Sequence, residues 1–87
     1  MPKVELYGQA RLLAGVNSLE VAGATTGEVL RGLARLHPKL VGTVLAAEGE
    51  LTPAYVLNIN GRRFARGQSV PLRPNDEVLI ISSLSGG

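Results

Sequence analysis

Cysteine is absent from this 87-residue chain, and histidine occurs once, as His37. Without cysteine no disulfide can hold the domain together, so the packing of apolar side chains has to stabilise it. One histidine and no cysteine also supply too few ligands for a zinc site, and we expect no bound metal. Any sulfur that the protein handles cannot be carried on a cysteine side chain, which leaves the C-terminal carboxylate as the attachment point.

Aromatic residues and long apolar runs are also scarce. Tyr7, Tyr55 and Phe64 are the three aromatic residues, so the core has to be aliphatic. No apolar run approaches the roughly 20 residues that a helix needs to cross a bilayer. The first residues lack the apolar segment of a signal peptide. We therefore expect a cytoplasmic protein that does not associate with a membrane.

The net charge of +2 is small, but arginines are concentrated in the second half of the chain, at Arg62, Arg63, Arg66 and Arg73. One interpretation is a patch for an acidic partner or a phosphate. The other is a set of solvated loop side chains. No aromatic residues alternate with the basic ones and no known nucleic-acid-binding motif is present, so we expect no nucleic-acid partner. The sequence also has no nucleotide-binding loop.

The alternation of apolar and polar residues predicts several short strands. Asn60-Gly61 is the preferred pair for a tight type I′ turn and predicts a hairpin. The segment Gly8–Gly15 is interpreted as a short connection of about one helical turn, and Leu40–Ala47 as a second short helix or a turn. The predicted strands are Lys3–Tyr7, Ser18–Val21, Tyr55–Ile59, Arg62–Phe64 and Glu77–Ile81.

One main helix is predicted after Ala24. Thr25 and Glu28 have the spacing of a capping box, in which each side chain accepts a hydrogen bond from a free backbone N–H. The residue before a proline avoids helical geometry, so His37-Pro38 ends the helix. The apolar stripe of this helix consists of Val29, Leu30, Leu33 and Leu36.

This order of elements predicts an α+β fold with one main helix packed across a mixed sheet of four to five strands. The apolar run that begins at Val78 predicts that the last strand is central in the sheet. We expect a folded domain over residues 1–82 and a flexible diglycine tail over residues 83–87.

The tail, which ends in Ser85-Gly86-Gly87, is the strongest candidate for the functional part. Glycine has no side chain to obstruct a narrow cleft. A terminal carboxylate is ionised at neutral pH, with an ordinary pKa of about 3.5, and reacts only after conversion to a mixed anhydride such as an acyl-adenylate. Five extended residues span about 17 Å, enough to enter a partner's active site. The alternative is a frayed end without a function.

Several segments together resemble the ubiquitin-like β-grasp sulfur carriers, above all the small subunit of molybdopterin synthase, MoaD; the thiamine carrier ThiS is a shorter relative. The resemblance covers essentially the whole chain and implies the β-grasp fold. The segments that carry it are residues 3–15, the Asn60-Gly61 hairpin, Pro71-Leu72, Asp76-Glu77-Val78 and Ser85-Gly86-Gly87.

The resemblance also implies a mechanism. An E1-like adenylyltransferase of the MoeB or ThiF type would use ATP to adenylate Gly87, and a sulfur donor would convert the adenylate to a thiocarboxylate. Gly86 would give clearance in the partner's channel. The tail would then enter a large subunit of the MoaE type, in a heterotetramer, and pass sulfur to the precursor of the molybdenum cofactor. The carrier itself would be non-catalytic and would bind no cofactor.

By the same resemblance, the partner interface would include Tyr7, Ile81, Leu84 and Ser85, whereas Arg63 falls where the family pattern has an apolar contact. The alternative for Tyr7 and Ile81 is ordinary core. Three other functions stay open: a sulfur carrier for thiamine, tRNA thiolation or cysteine synthesis, a ubiquitin-like modifier of lysines, and an interaction module with an inert tail.

Overall fold

A computed structural model of the protein describes residues 1–65 and 69–83. The chain begins with strand β1 (Lys3–Leu6), helix α1 (Gly8–Ala14) and strand β2 (Ser18–Glu20). The main helix α2 (Thr26–Leu36) follows, and a 3₁₀ turn (Pro38–Leu40) comes directly after it. The remaining elements are the strands β3 (Tyr55–Ile59), β4 (Arg63–Ala65) and β5 (Glu77–Ser82).

The five strands form one mixed sheet in the order β2-β1-β5-β3-β4. β5 is central, because it pairs in parallel with β1 on one side and antiparallel with β3 on the other. The hairpin-like pairing of β1 with β2 and the central position of β5 were both expected from the sequence. The predicted β-grasp fold, with α2 packed across a mixed sheet, is therefore confirmed.

The core lies between α2 and one face of the sheet, as a single cluster of buried aliphatic side chains. Because side chains alternate across a strand, each strand contributes every second residue to this cluster. Leu33 of α2 is fully buried in it. The sheet residues that line the same cluster are Val4, Leu6, Leu57, Ile59, Ala65, Val78 and Ile80.

The capping box at the start of α2 is confirmed, with one difference in partner. The Glu28 N–H donates to Thr25 Oγ1 at 3.2 Å, as the motif requires. Glu28 Oε1, however, accepts from the N–H of Ala24 at 2.8 Å, the residue before the cap. The first hydrogen bond satisfies a backbone donor that the first turn of a helix leaves free, and the second satisfies the donor of the residue that precedes the cap.

α2 ends where His37-Pro38 predicts, but its last apolar residue is not part of the core. Leu36 was expected on the buried stripe, and the structure leaves it 57% exposed. The reason is its position as the last residue of α2, where the chain turns away into the 3₁₀ turn. Leu40, at the end of that turn, is fully buried instead.

Two connections can be compared with their predictions, and the first is more regular than expected. Gly8–Ala14 forms a helix of seven residues, rather than one turn, and Ala10 packs fully buried in the core. The helix ends at Gly15, whose positive φ of 77° suits a glycine at this position. The segment after Leu40 forms turns joined by isolated bridges from Leu45 to Val41 and Leu51, and contains no further helix.

The hairpin between β3 and β4 has the predicted turn. Asn60 and Gly61 both have positive φ, 59° and 71°, which a type I′ turn requires. The N–H of Arg62 donates to the carbonyl of Ile59 at 3.1 Å and closes the turn. Ile59 nevertheless pairs with Arg63, so the returning strand begins one residue later than predicted.

Candidate functional site

The C-terminal end of β5 is where the predicted tail leaves the folded body. Ser83, the next residue, donates its N–H to the carbonyl of Ala54 at 2.8 Å and its Oγ–H to the carbonyl of Pro53 at 2.9 Å. These two hydrogen bonds tie the end of the central strand to the segment before β3. The predicted site residues beyond this anchor, Leu84, Ser85, Gly86 and Gly87, lie outside the described residues.

The register brings the other two predicted interface residues, Tyr7 and Ile81, to this same end of the sheet. β1 and β5 run in parallel, and Leu6 pairs with Ile80. Tyr7 and Ile81 each follow those partners by one residue, so both lie at the end of the sheet from which the predicted tail departs. Tyr7 is 43% exposed and Ile81 is half-buried, so neither is ordinary core.

Tyr7 is held by a polar contact on the outside of the sheet. Its hydroxyl donates to Glu5 Oε1 at 3.1 Å. This hydrogen bond, followed by slight desolvation and the charges of Glu5 and Glu77, raises the pKa of the Tyr7 phenol above its ordinary value of 10.0. The ring therefore presents a neutral, partly apolar surface at physiological pH.

An apolar surface covers part of the sheet face that points away from α2. Cross-strand pairs place Val56 beside Ile81 on this face, and they place Asn58 between Phe64 and Leu79. Phe64 is 60% exposed, an unusual fraction for a large apolar ring. We call Val56, Phe64, Leu79 and Ile81 the apolar outer face, in which Val56 is buried, Leu79 and Ile81 are half-buried and Phe64 is exposed.

Sequence reasoning missed Phe64 as a member of this surface. The alternation of side chains along Arg63-Phe64-Ala65 was the available signal. Neighbouring side chains in a strand point to opposite faces, so a buried Ala65 implies that Phe64 points outward. Arg63 pairs with Ile59, whose side chain belongs to the core, so Arg63 does not lie on the outer face. The position at which β4 contributes an apolar side chain is therefore Phe64, one residue after Arg63.

Asn58 is the exception within this surface. It is only 5% exposed, and its Oδ1 accepts no hydrogen bond from any residue in the described part of the chain. A buried acceptor without a partner lowers stability, by about 1–3 kcal/mol in other proteins. Packing alone therefore does not account for an asparagine at this position of β3.

The β1–β2 half of the outer face is polar. Its residues are Lys3, Glu5, Ser18 and Glu20, placed together by the antiparallel register of the two strands. The outer face is thus divided into an apolar part over β5, β3 and β4 and a charged part over β1 and β2. Such a surface is suited to docking in one orientation, because charges off the apolar centre disfavour wrong placements.

Within residues 1–65 and 69–83, no group of three or more histidine, cysteine, aspartate or glutamate side chains could hold a metal ion. The helices in that part of the chain are all too short or too polar to span a bilayer. What the described residues do provide is the apolar outer face, with the anchored end of β5 beside it.

Comparison with known proteins identifies the relatives of this chain. The sequence profile described as the ThiS family matches residues 4–87. A protein of Archaeoglobus fulgidus named "Putative sulfur carrier protein" is 29% identical over 85 residues, which cover 91% of this chain and 97% of that one.

Two solved structures are similar over nearly the whole chain. Small archaeal modifier protein 1 (SAMP1) from Methanosarcina acetivorans has a TM-score of 0.83 and 28% identity, covering 99% of this chain and 95% of its own. Urm1 from Trypanosoma brucei has a TM-score of 0.62 and 30% identity, covering 99% and 94%. With a family match over nearly every residue and a shared β-grasp architecture, this chain belongs to the ThiS family of ubiquitin-like sulfur carriers.

Proposed function

We propose that the chain carries sulfur as a thiocarboxylate on Gly87. In the first step, the Gly87 carboxylate attacks the α-phosphate of ATP on an E1-like partner, which gives an acyl-adenylate and releases pyrophosphate. In the second step, a hydrosulfide equivalent from a sulfur donor attacks the acyl carbon, and AMP leaves with the bonding electron pair. The products are a thiocarboxylate and AMP, and the carrier supplies no catalytic side chain.

The observation that carries this proposal is the family match, because it extends through residue 87 and so includes Gly86 and Gly87. The anchored Ser83 adds a mechanical argument. With Ser83 hydrogen-bonded to the body, four residues remain, and they span about 14 Å when extended. That length suits a tail that enters a cleft while Tyr7 and the apolar outer face dock against the cleft's rim.

The activation step is tested by ATP–pyrophosphate exchange with an adenylyltransferase of the MoeB or ThiF type. The full chain should support exchange, and a chain lacking Gly86 and Gly87 should not. Circular dichroism of the shortened chain provides the folding control. Equal exchange with both chains would contradict the proposal, since it would show that the terminal glycines are not the activated group.

As the pathway, we propose molybdenum cofactor synthesis, with this chain as the small subunit of molybdopterin synthase. The support is the resemblance to MoaD over residues 3–15 and in the closing Ser85-Gly86-Gly87. Co-expression with a large subunit of the MoaE type should give a heterotetramer whose mass is measured by light scattering. A preference for a thiazole synthase, a tRNA thiolase or a cysteine synthase would reassign the pathway and leave the carrier chemistry intact.

A second function, attachment to lysines of other proteins, is favoured by the similarity to small archaeal modifier protein 1. The same acyl-adenylate would react with a lysine amine instead of sulfur, forming an isopeptide bond and releasing AMP. Digestion of the source cell's proteins with chymotrypsin, which cleaves after leucine, should then yield lysine peptides that carry a Ser85-Gly86-Gly87 remnant. Remnants that disappear when Gly87 is deleted would establish this function beside the carrier role.

A further inference from the structure

Three arginines converge on one depression that the proposed carrier chemistry does not use. The depression has a volume of about 390 Å³ and lies between the β3–β4 turn and the segment over residues 70–76. Its charged lining comes from Arg62, Arg63 and Arg73, and its apolar lining includes Ile59, Val70 and Leu72. We call this depression the arginine cavity. Arg66, the fourth arginine of the sequence cluster, lies outside the described residues.

The positive charge of the arginine cavity is not neutralised from within the described part of the chain. None of the three guanidinium groups there has a hydrogen bond or ion pair with a described residue. Asp76 also lines the cavity, but its oxygens already accept from the Arg73 N–H at 2.8 Å and from Asn60 Nδ2 at 3.0 Å. Asp76 also interacts with the charge of Arg73, so one carboxylate offsets only part of the charge of three guanidinium groups, an arrangement that attracts anions.

The remaining lining distinguishes among anionic ligands. Arginine pairs with carboxylates in a bidentate geometry, and the apolar lining gives a neighbouring aliphatic side chain a place to pack. No aromatic residue lines the cavity to stack on a nucleotide base. A peptide segment in which acidic residues alternate with aliphatic ones matches both parts of the lining.

The arginine cavity and Ser83 lie at opposite ends of the central strand. The cavity includes Asp76, directly before β5 begins at Glu77, whereas Ser83 follows the last residue of β5. Glu77 and Ser82, the first and last residues of β5, are five steps apart along the strand. At 3.3 Å per step, about 17 Å separates the two ends. A peptide bound in the cavity would therefore leave the carboxyl end of the strand free for a second partner.

We infer that the arginine cavity is a binding site for an acidic, aliphatic peptide segment of a partner protein. The site lies at the opposite end of β5 from Ser83 and includes no residue of the apolar outer face, and the inference does not depend on sulfur being carried. It gives the domain a means of being held by one protein while Gly87 reacts in another.

Binding is tested on the full chain by ¹⁵N–¹H NMR titration with an acetylated and amidated hexapeptide, Glu-Leu-Glu-Glu-Leu-Glu. Saturable shifts are expected at the amides of Arg62, Arg63 and Arg73. The affinity should fall as salt is raised from about 50 to 200 mM, because the contacts are charged and exposed. The same peptide with glutamine in place of glutamate, and inorganic phosphate at equal ionic strength, should both bind at least tenfold more weakly, by the charge and packing arguments above.

Two double variants with equal charge change separate a site from general attraction. Arg62→Gln with Arg73→Gln should lower the peptide affinity about tenfold, as expected when two exposed charge-assisted contacts each contribute a few-fold. Arg11→Gln with Arg35→Gln, on exposed positions of α1 and α2, should leave the affinity within about twofold, because these side chains do not line the cavity. The single variant Arg63→Gln should also lower the peptide affinity, because Arg63 lines the cavity. The dispersion of its NMR spectrum shows whether the variant is folded.

The inference is overturned if the peptide gives no saturable shifts, or if the two double variants weaken binding equally. Phosphate or the glutamine peptide binding as tightly as the acidic peptide would also overturn it. The exchange assay of the proposed function is a separate readout: Arg62→Gln with Arg73→Gln should leave ATP–pyrophosphate exchange unchanged.

Discussion

Asn60 and Glu77 hold the β3–β4 turn against the start of β5 by two hydrogen bonds. The Asn60 N–H donates to the Glu77 carbonyl at 2.8 Å, and Asn60 Oδ1 accepts from the Glu77 N–H at 2.8 Å. Asn60 also has a φ of 59°, which asparagine tolerates better than most residues. One residue therefore serves both the hairpin turn and its attachment to the central strand.

The first prediction separates these two contributions of Asn60. Asn60→Gly keeps the positive φ and loses the side-chain hydrogen bonds, and should lower the free energy of unfolding by about 1 kcal/mol. Asn60→Ala loses the same bonds and also disfavours the left-handed conformation, which should cost about 1–2 kcal/mol more. Urea unfolding of both variants measures the difference. Equal stability of the two variants would mean that the backbone conformation of the turn contributes nothing.

The second prediction concerns the pH dependence of stability at Asp76. A hydrogen bond from the Arg73 N–H and a second from Asn60 hold the pKa of this carboxyl below its ordinary value of 3.8. Because the folded state favours the ionised form, Asp76 contributes stability above the ordinary pKa. That contribution should be lost as the pH falls through the lower folded pKa.

Asp76→Asn should therefore make the stability of the protein less dependent on pH in the acidic range. The measurement is urea unfolding in steps from neutral pH to below the ordinary pKa of aspartate. Glu48→Gln is the matched control, because Glu48 is exposed and accepts no hydrogen bond from a described residue. If both variants changed the acid dependence equally, the Asp76 contacts would not be its source.

The third prediction compares two leucines of α2 that the sequence does not distinguish. Leu33 is fully buried, whereas Leu36 is 57% exposed. Leu33→Ala should lower the free energy of unfolding by about 2–5 kcal/mol, because it leaves a cavity in the core. Leu36→Ala should change it by less than about 0.5 kcal/mol. Thermal or urea unfolding of the pair tests the observed end of the helix, and a large loss with Leu36→Ala would contradict it.

The fourth prediction tests the apolar outer face as the surface that meets the activating enzyme. Phe64→Ala should raise the half-saturating concentration in the exchange assay about tenfold, since a few large side chains carry most of the binding energy at interfaces. The free energy of unfolding of the Phe64→Ala variant should change little, because Phe64 is largely exposed. Leu12→Ala is the control, as Leu12 is 73% exposed on α1, away from this face. An equal effect of both substitutions would remove the outer face from the interface.

Local signals in the sequence were sufficient for several elements. The Thr25 and Glu28 spacing located the start of α2, His37-Pro38 located its end, and Asn60-Gly61 located the hairpin turn. Each of these depends on the conformational preferences of one to four neighbouring residues. The apolar run of β5 also indicated its central position, because such runs are typical of strands that are covered on at least one face.

Features that depend on contacts between residues far apart in the sequence could not be predicted from such local signals. The parallel pairing of β1 with β5, which places Tyr7 and Ile81 at one end of the sheet, joins the two ends of the chain. The exposure of Phe64 follows from a register that shifts by one residue at Arg62. The exposure of Leu36 depends on where the chain turns after the helix, and helical spacing carries no such information.

The central claim, that Gly87 carries the sulfur, is tested most directly by intact-mass and fragment-ion analysis. The chain would be incubated with its activating enzyme, ATP and a sulfide source. The expected result is a species in which one oxygen is replaced by sulfur, with the replacement located on Gly87 and dependent on ATP. A chain that keeps its unmodified carboxylate while the enzyme is shown to be active on another carrier would contradict the account.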